Sequence, residues 1–179
     1  MYGFLWTMPI ALKSLLKIVA CVTLLVGSVV QAWSSQTLKT NELAADTLIV
    51  LQRGACEHRC AVYKVIIFAD GSVIFDGRHY VRRPGLVKAS LSLESLRQLL
   101  DEAAVLRFFD LKDRYGGDID ATGCDSVQSD APSAIVSISS GGRSKTILHH
   151  HGCVGAESQH LKQFEETIDK AVNTAKWVR

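Results

Sequence analysis

The stretch that decides the fold is TLIVLQRGACEHRCAVYKVIIFADGSVIFDGRHYVRRPGLV, which runs from Thr47 to Val87. It holds three short apolar runs rich in β-branched residues, at 48–51, 62–68 and 72–75, and loop residues separate them. Runs of this length and composition are typical of β-strands. The run at 62–68 is apolar at both parities, which predicts a central strand that is covered on both faces, with one well-packed face as the alternative.

Two Asp-Gly pairs lie between or directly after these runs. Asp70-Gly71 favours a two-residue type I′ hairpin turn, in which both residues take positive φ. Asp76-Gly77 predicts a second break before a last run over 78–87. Pro84 and Gly85 place the late part of that run at a sheet edge or a bulge. The stretch therefore predicts an antiparallel meander of three to four strands.

The remainder of the chain adds two helices and a second hairpin. Ser92 is a good N-cap for an amphipathic helix that ends near Leu106. The runs 134–139 and 145–151 flank a Gly-Gly turn, which predicts the second hairpin. The segment 159–175 carries an apolar stripe at helical spacing. This order predicts an α+β fold, an antiparallel β-sheet with the two amphipathic helices packed on it.

The amino terminus has the pattern of an export signal. Residues 1–32 contain no acid and only two bases, Lys13 and Lys17, followed by an apolar run over 18–30. We therefore predict a signal peptide at 1–32, a flexible lead-in at 33–46 and a single domain at 47–179. An uncleaved leader that anchors the chain in a membrane is the alternative, although the run is short of the ~20 residues that span a bilayer.

The charge balance excludes one class of partner. Without residues 1–32 the chain keeps 18 basic and 18 acidic residues and has no basic tract, which argues against binding nucleic acid. Export predicts a periplasmic or extracellular location, where a partner would be another envelope or extracellular component.

Four cysteines remain after the predicted leader: Cys56, Cys60, Cys124 and Cys153. An even number in an exported domain favours disulfides, and four cysteines allow three connectivities. We favour Cys56–Cys60 with Cys124–Cys153, because this pairing is local and each pair then lies at one junction between predicted elements. A redox function is the alternative, but reactive pairs usually have Cys-x-x-Cys spacing at a helix N-terminus.

The triple histidine 149–151 is the candidate metal site. Side chains alternate along a strand, so His149 and His151 share a face and together can chelate zinc or copper. A third ligand could come from His58, Cys153 or an aspartate of the long polar loop 110–132. The alternative to a metal site is that, of the alternating side chains along this strand, one set packs in the core while the other set faces solvent.

The same loop contains Asp118-x-Asp120-x-Thr122-Gly123, which resembles the start of a calcium-binding loop. The twelfth position is Ser129 instead of a bidentate glutamate, so we interpret it as a solvated turn. No Ser/His/Asp order, phosphate-binding glycine loop or HExxH helix is present in the sequence.

Several short motifs taken together resemble an uncharacterised family of exported bacterial domains, catalogued as a domain of unknown function. They are Cys56-x-x-x-Cys60-x-x-Tyr63-x-Val65, Asp70-Gly71, Gly77, Leu93-x-x-Leu96, Phe108-Phe109-x-Leu111, Tyr115, Asp130-x-Pro132-Ser133, Gly142-x-x-Lys145, His149-His150-His151-Gly152-Cys153 and Ile168-Asp169. The resemblance covers about residues 46 to 178. It implies an extracytoplasmic α+β domain and brings no catalytic residues. The proline that usually follows the second cysteine is Ala61 here.

Three functions follow as hypotheses. The first is an exported, disulfide-stabilised, non-enzymatic binding or structural module of the bacterial envelope. The second is a metal-binding protein or metal-dependent enzyme that uses His149 and His151. The third is a thiol-disulfide protein. We expect the corner where the long loop meets the triple histidine to be the functional surface.

Overall fold

The structure, a computed structural model, describes residues 43–57, 59–116 and 123–179. The predicted leader, most of the lead-in, His58 and the aspartates of the calcium-like motif lie outside the described residues. Among the described residues, no helix is long and apolar enough to cross a bilayer.

The described chain forms nine strands, three α-helices and one 3-10 turn. In order, they are β1 (Leu48–Arg53), β2 (Val62–Phe68), β3 (Ser72–His79), β4 (Gly85–Ser90), α1 (Leu93–Val105), the 3-10 turn (Phe108–Asp110), β5 (Arg114–Tyr115), β6 (Ser126–Val127), β7 (Ser133–Ser140), β8 (Arg143–His150), β9 (Cys153–Val154), α2 (Ala156–Val172) and α3 (Ala175–Val178).

Seven strands build one sheet in the order β4-β3-β2-β1-β7-β8-β5. All of its pairs are antiparallel except β5 with β8. Strands β6 and β9 form a separate two-stranded ribbon. The predicted α+β fold, with its meander and second hairpin, is confirmed.

The sheet packs a single face against the helices. Along β2, Tyr63, Val65 and Ile67 are buried, whereas Ile66 is half-buried and Phe68 is exposed. The expectation that β2 is covered on both faces is therefore wrong, because its second parity faces away from the core. The buried residues of the strands and of α1 and α2 form one hydrophobic core.

The turns of the meander differ from the prediction. The β2–β3 connection spans three residues, and of these Gly71 takes positive φ while Asp70 does not. Asp76-Gly77 is not a turn, since β3 runs through it to His79. Gly77 is required there by close approach, because a Cβ would lie 2.3 Å from the carbonyl oxygen of Arg83. Strand β4 is the sheet edge, as Pro84 and Gly85 predicted.

The second hairpin turns at Gly141 and Gly142, which both take positive φ as a type I′ turn requires. Their N–H groups donate to the two carboxylate oxygens of Asp46, at 2.8 and 2.7 Å. These hydrogen bonds hold the pKa of Asp46 below its usual value. Asp46, two positions before the start of β1, thereby holds the β7–β8 turn.

The helices begin and end near their predicted bounds. The Ser92 hydroxyl accepts from the Ser95 N–H and caps α1, but Leu93, expected on the apolar face, is 43% exposed. Helix α2 begins at Ala156, three residues before its predicted start, and ends at Val172. Trp177 packs against Phe75, with ring centroids 4.8 Å apart.

Both disulfides have the pairing that the sequence favoured, Cys56–Cys60 and Cys124–Cys153. The first closes a loop with a sequence separation of 4, the second a loop with a separation of 29. The second disulfide ties the long loop to β9, immediately before α2.

The two disulfides should differ in their contribution to stability. In the chain-entropy model the longer loop gives roughly 3–4 kcal/mol and the shorter about 2 kcal/mol. We expect the double variant Cys124→Ala/Cys153→Ala to lower the free energy of unfolding more than the matched variant Cys56→Ala/Cys60→Ala. Urea denaturation of both variants measures the difference. Equal losses, or a larger loss for the shorter loop, would contradict the tying role of Cys124–Cys153.

Candidate functional site

The inward parity at the end of β8 includes His149. Ile147 and His149 are fully buried, whereas Leu148 between them is half-buried. His151 follows the strand on the same side, and its ring centroid lies 4.8 Å from that of His149. The two imidazoles therefore share a face, but His149 lies in the core and does not line a solvent cleft. Tyr115 packs edge-on against it.

The carboxylate of Glu165, from the middle of α2, meets both rings. Its Oε1 lies 2.8 Å from His149 Nδ1, and its Oε2 lies 2.8 Å from His151 Nε2. The side chain of Glu165 is fully buried. One helix residue thus joins the two histidines that the strand places side by side.

Arg53, the last residue of β1, links Glu165 to a second acid of α2. Its Nη1 donates to Glu165 Oε2 at 2.7 Å, and its Nη2 donates to Asp169 Oδ2 at 2.8 Å. The other oxygen of Asp169 accepts from the hydroxyls of Tyr63, at 2.8 Å, and Thr174, at 3.0 Å. We call Arg53, His149, His151, Glu165 and Asp169 the charged cluster.

The hydrogen bonds of Ser158 determine where the protons of His149 lie. The Ser158 hydroxyl donates its one hydrogen to the carbonyl oxygen of Cys153 at 2.8 Å, so it accepts from His149 Nε2 at 2.9 Å. His149 Nδ1 faces a carboxylate oxygen and must also donate. In the arrangement that satisfies every acceptor, both ring nitrogens of His149 donate hydrogen bonds.

Arg53 and the two carboxylates stabilise one another's charged forms. Burial alone would raise the pKa of Glu165, but hydrogen bonds from His149 and His151 and the charge of Arg53 outweigh it and lower that pKa to about 2. For Arg53, burial acts to lower the pKa, and the two carboxylates of Asp169 and Glu165 raise it beyond its usual value. Burial, followed by the negative charge of Asp169, raises the pKa of Tyr63. The Arg53 guanidinium therefore faces two carboxylates, those of Glu165 and Asp169.

The cluster is internally satisfied. Across residues 43–57, 59–116 and 123–179, every fully buried side-chain nitrogen or oxygen has a hydrogen-bond partner. Buried ionic groups cost free energy unless they are paired and hydrogen-bonded. The cluster therefore joins β1, β8 and α2 without leaving a buried charge unpaired.

In the described part of the chain, the group that could hold an ion with the two histidines contains none of the expected third ligands. Cys153 is in its disulfide, and His58, Asp118 and Asp120 lie outside the described residues. The acid that does meet His149 and His151 is Glu165, which sequence reasoning missed. A signal was present, because Glu165 lies between Leu161 and Ile168 on the apolar stripe of α2, where an acid has no solvent to face.

Comparison with known families assigns the chain. The family model described as a domain of unknown function, DUF6438, matches residues 47–172. The chain belongs to the DUF6438 family. This confirms the resemblance to a family of unknown function that the sequence motifs indicated. No curated protein matches the sequence.

A groove follows the outer side of the charged cluster in this DUF6438 domain. It consists of three adjoining cavities of about 620, 300 and 430 Å³. Tyr63 and Glu166 line both the first and the second, and His151 and Lys162 line both the second and the third. We call these three cavities together the seam groove, because they follow the junction between α2 and the ends of the strands.

Both disulfides contribute to the wall of the seam groove. Cys60 lines the middle cavity, together with Arg53 and Pro132. Cys153 lines the third, together with Asp125. The corner where the long loop meets the triple histidine is therefore one end of the seam groove.

His149 should be necessary for stability, and its neighbour His150 should not. Removing one partner from a buried charged network typically costs about 3–5 kcal/mol. We expect His149→Ala to lose stability on this scale, because it leaves Glu165 Oε1 unpaired in the core. His150→Ala removes a half-buried ring whose nitrogen accepts only a 3.3 Å bond from the Gly152 N–H, so it should cost less than ~1 kcal/mol. Denaturant titration of the two variants checks this. Similar losses in both would contradict the cluster.

Proposed function

We propose that this DUF6438 domain is an exported, disulfide-stabilised, non-enzymatic binding module of the bacterial envelope, and that it binds its partner in the seam groove. The observation that carries the proposal is that each of the two disulfides contributes a cysteine to the wall of the same groove. Cys60 and Cys153 lie in different cavities of the groove and in different disulfides.

Disulfides at a binding surface reduce the ordering cost of association, because the wall is already held in its bound shape. The charged cluster has the same effect from beneath, since it fixes Arg53 and Tyr63 through Asp169. Cavities with a rigid floor and a few polar groups are typical of ligand sites. The two disulfides support the exported part of the proposal, because disulfides persist in oxidising compartments.

The surface of the groove favours a polar partner that carries charges of both signs. Lys162 is an exposed cation at the rim shared by two cavities, and the nearby Glu166 lines the middle cavity with it. Lys170 and Arg179 add cations at the far end, where Asp169 is the neighbouring acid. We infer that the partner is an envelope or extracellular component with such groups, not an apolar surface.

Site-specific photo-crosslinking in cells that export the full chain tests this function. A photoreactive residue at position 162 is placed in the seam groove. The matched control replaces Lys88, an exposed lysine of β4 whose neighbour Val87 has the inward parity opposite buried Phe75. We expect a discrete adduct from position 162 and none from position 88. Adducts from both positions, or from neither, would contradict binding in the seam groove.

A further inference from the structure

Three nitrogen and oxygen atoms in the charged cluster lie close enough to serve as ligands of one ion. One ligand atom from each of His149, His151 and Glu165 lies within 4.8 Å of the other two. Two imidazoles and a carboxylate suit zinc, copper and related divalent transition metals, whereas calcium and magnesium prefer sites made of oxygens.

The outer hydrogen bond of His149 is typical of a metal ligand. Metal-bound histidines usually donate their second ring N–H to a fixed acceptor, which determines the nitrogen that faces the metal. Here Nε2 donates to Ser158, whose hydroxyl is fixed by the carbonyl of Cys153. Nδ1 is therefore directed at Glu165 Oε1, which lies 2.8 Å away.

In the arrangement described above this contact is a hydrogen bond, and a divalent ion bound to both atoms would take the place of its hydrogen as the group that joins them. Binding would release the Nδ1 proton of His149 to solvent and form a metal–nitrogen bond in its place. His151 would contribute Nε2 after its proton moves to Nδ1 or is lost to solvent. The carboxylate of Glu165 would contribute its oxygens, and water would complete the coordination.

Arg53 is the group that competes with such an ion. Its Nη1 lies 2.7 Å from Glu165 Oε2 and 3.3 Å from His151 Nε2. Its Nε and Nη2 both donate to Asp169, at 3.1 and 2.8 Å. If Nη1 withdraws, Asp169 still holds two of the guanidinium donors, so the arginine has a paired position away from the ion.

An ion has a path from the solvent. His151 lines the middle and third cavities of the seam groove, and its side chain is 12% exposed. His149 and Glu165 lie directly behind it and are fully buried. An ion would meet His151 first and then the two buried ligands.

We propose that His149, His151 and Glu165 form a binding site for a divalent transition metal of the zinc class. The site goes beyond the proposed partner binding in the seam groove and does not depend on it. It lies beneath the groove, so the groove can bind its partner whether or not the site takes an ion.

Cobalt titration of the mature chain, prepared without a histidine tag and freed of metal by a chelator, tests the site. Cobalt substitutes for zinc, and its visible absorption reports nitrogen and oxygen coordination. We expect one equivalent to bind with visible bands, and zinc to displace it. His151→Ala should weaken binding at least tenfold without unfolding the domain, because this ring is only half-buried. Glu165→Gln is a second, nearly isosteric variant, and it should also weaken cobalt binding.

The matched control is His160→Ala, which removes an exposed histidine of α2 away from the cluster. It should leave the affinity unchanged. Arg53→Gln should tighten binding, because it removes the competing cation. No binding by the wild-type chain, or equal losses in the His151 and His160 variants, would overturn the proposal. The crosslink from position 162 is measured separately, so either proposal can fail alone.

Discussion

The carboxylate of Glu165 holds the ends of two strands, β1 and β8, to helix α2. Arg53 reaches it from the end of β1, and His149 and His151 reach it from the end of β8. These strands lie on either side of β7 in the sheet. A single helix residue therefore fixes the register of α2 against two strands that are distant in sequence.

The position of this carboxylate constrains the rest of the seam. Asp169, one helical turn after Glu165, accepts hydrogen bonds from the guanidinium of Arg53 and from the hydroxyl of Tyr63 in β2. The hydroxyl of Ser158, two turns before Glu165, accepts a hydrogen bond from Nε2 of His149. The same face of α2 therefore holds β1, β2 and β8, and the seam groove lies along the outer side of these contacts. An apolar core could have closed this junction at less electrostatic cost, since buried ion pairs are often no more stabilising than hydrophobic replacements.

The sequence predicted the architecture better than it predicted the cluster. Strand runs, the Gly-Gly turn at 141–142 and the Ser92 cap depend on local chemistry, so they are visible in short windows. Asp76-Gly77 misled because Gly77 accommodates the carbonyl of Arg83, which comes from a later loop. The way the β3–β4 connection folds back over Gly77, not the turn preference of the Asp-Gly pair, determines the conformation at that position.

Glu165 and Arg53 were missed for a related reason. Each is a charged residue at an inward position, Glu165 on the apolar stripe of α2 and Arg53 two residues after buried Leu51 in β1. Either residue alone has the appearance of a polar interruption in an apolar pattern. Their pairing requires β1 and α2 to meet, and the sequence alone does not specify that contact. Alternation along β8 did place His149 and His151 on one face, because that relation is local.

Nitrogen NMR of the histidine rings at neutral pH tests the central claim most directly, that His149 donates from both ring nitrogens into the charged cluster. Chemical shifts and coupling to attached hydrogens identify each protonated nitrogen. The account predicts that His149 has hydrogens on both Nδ1 and Nε2, each protected from exchange with water, and that Glu165→Gln removes this signature. A neutral His149 ring with one bare nitrogen in the wild-type chain would contradict it.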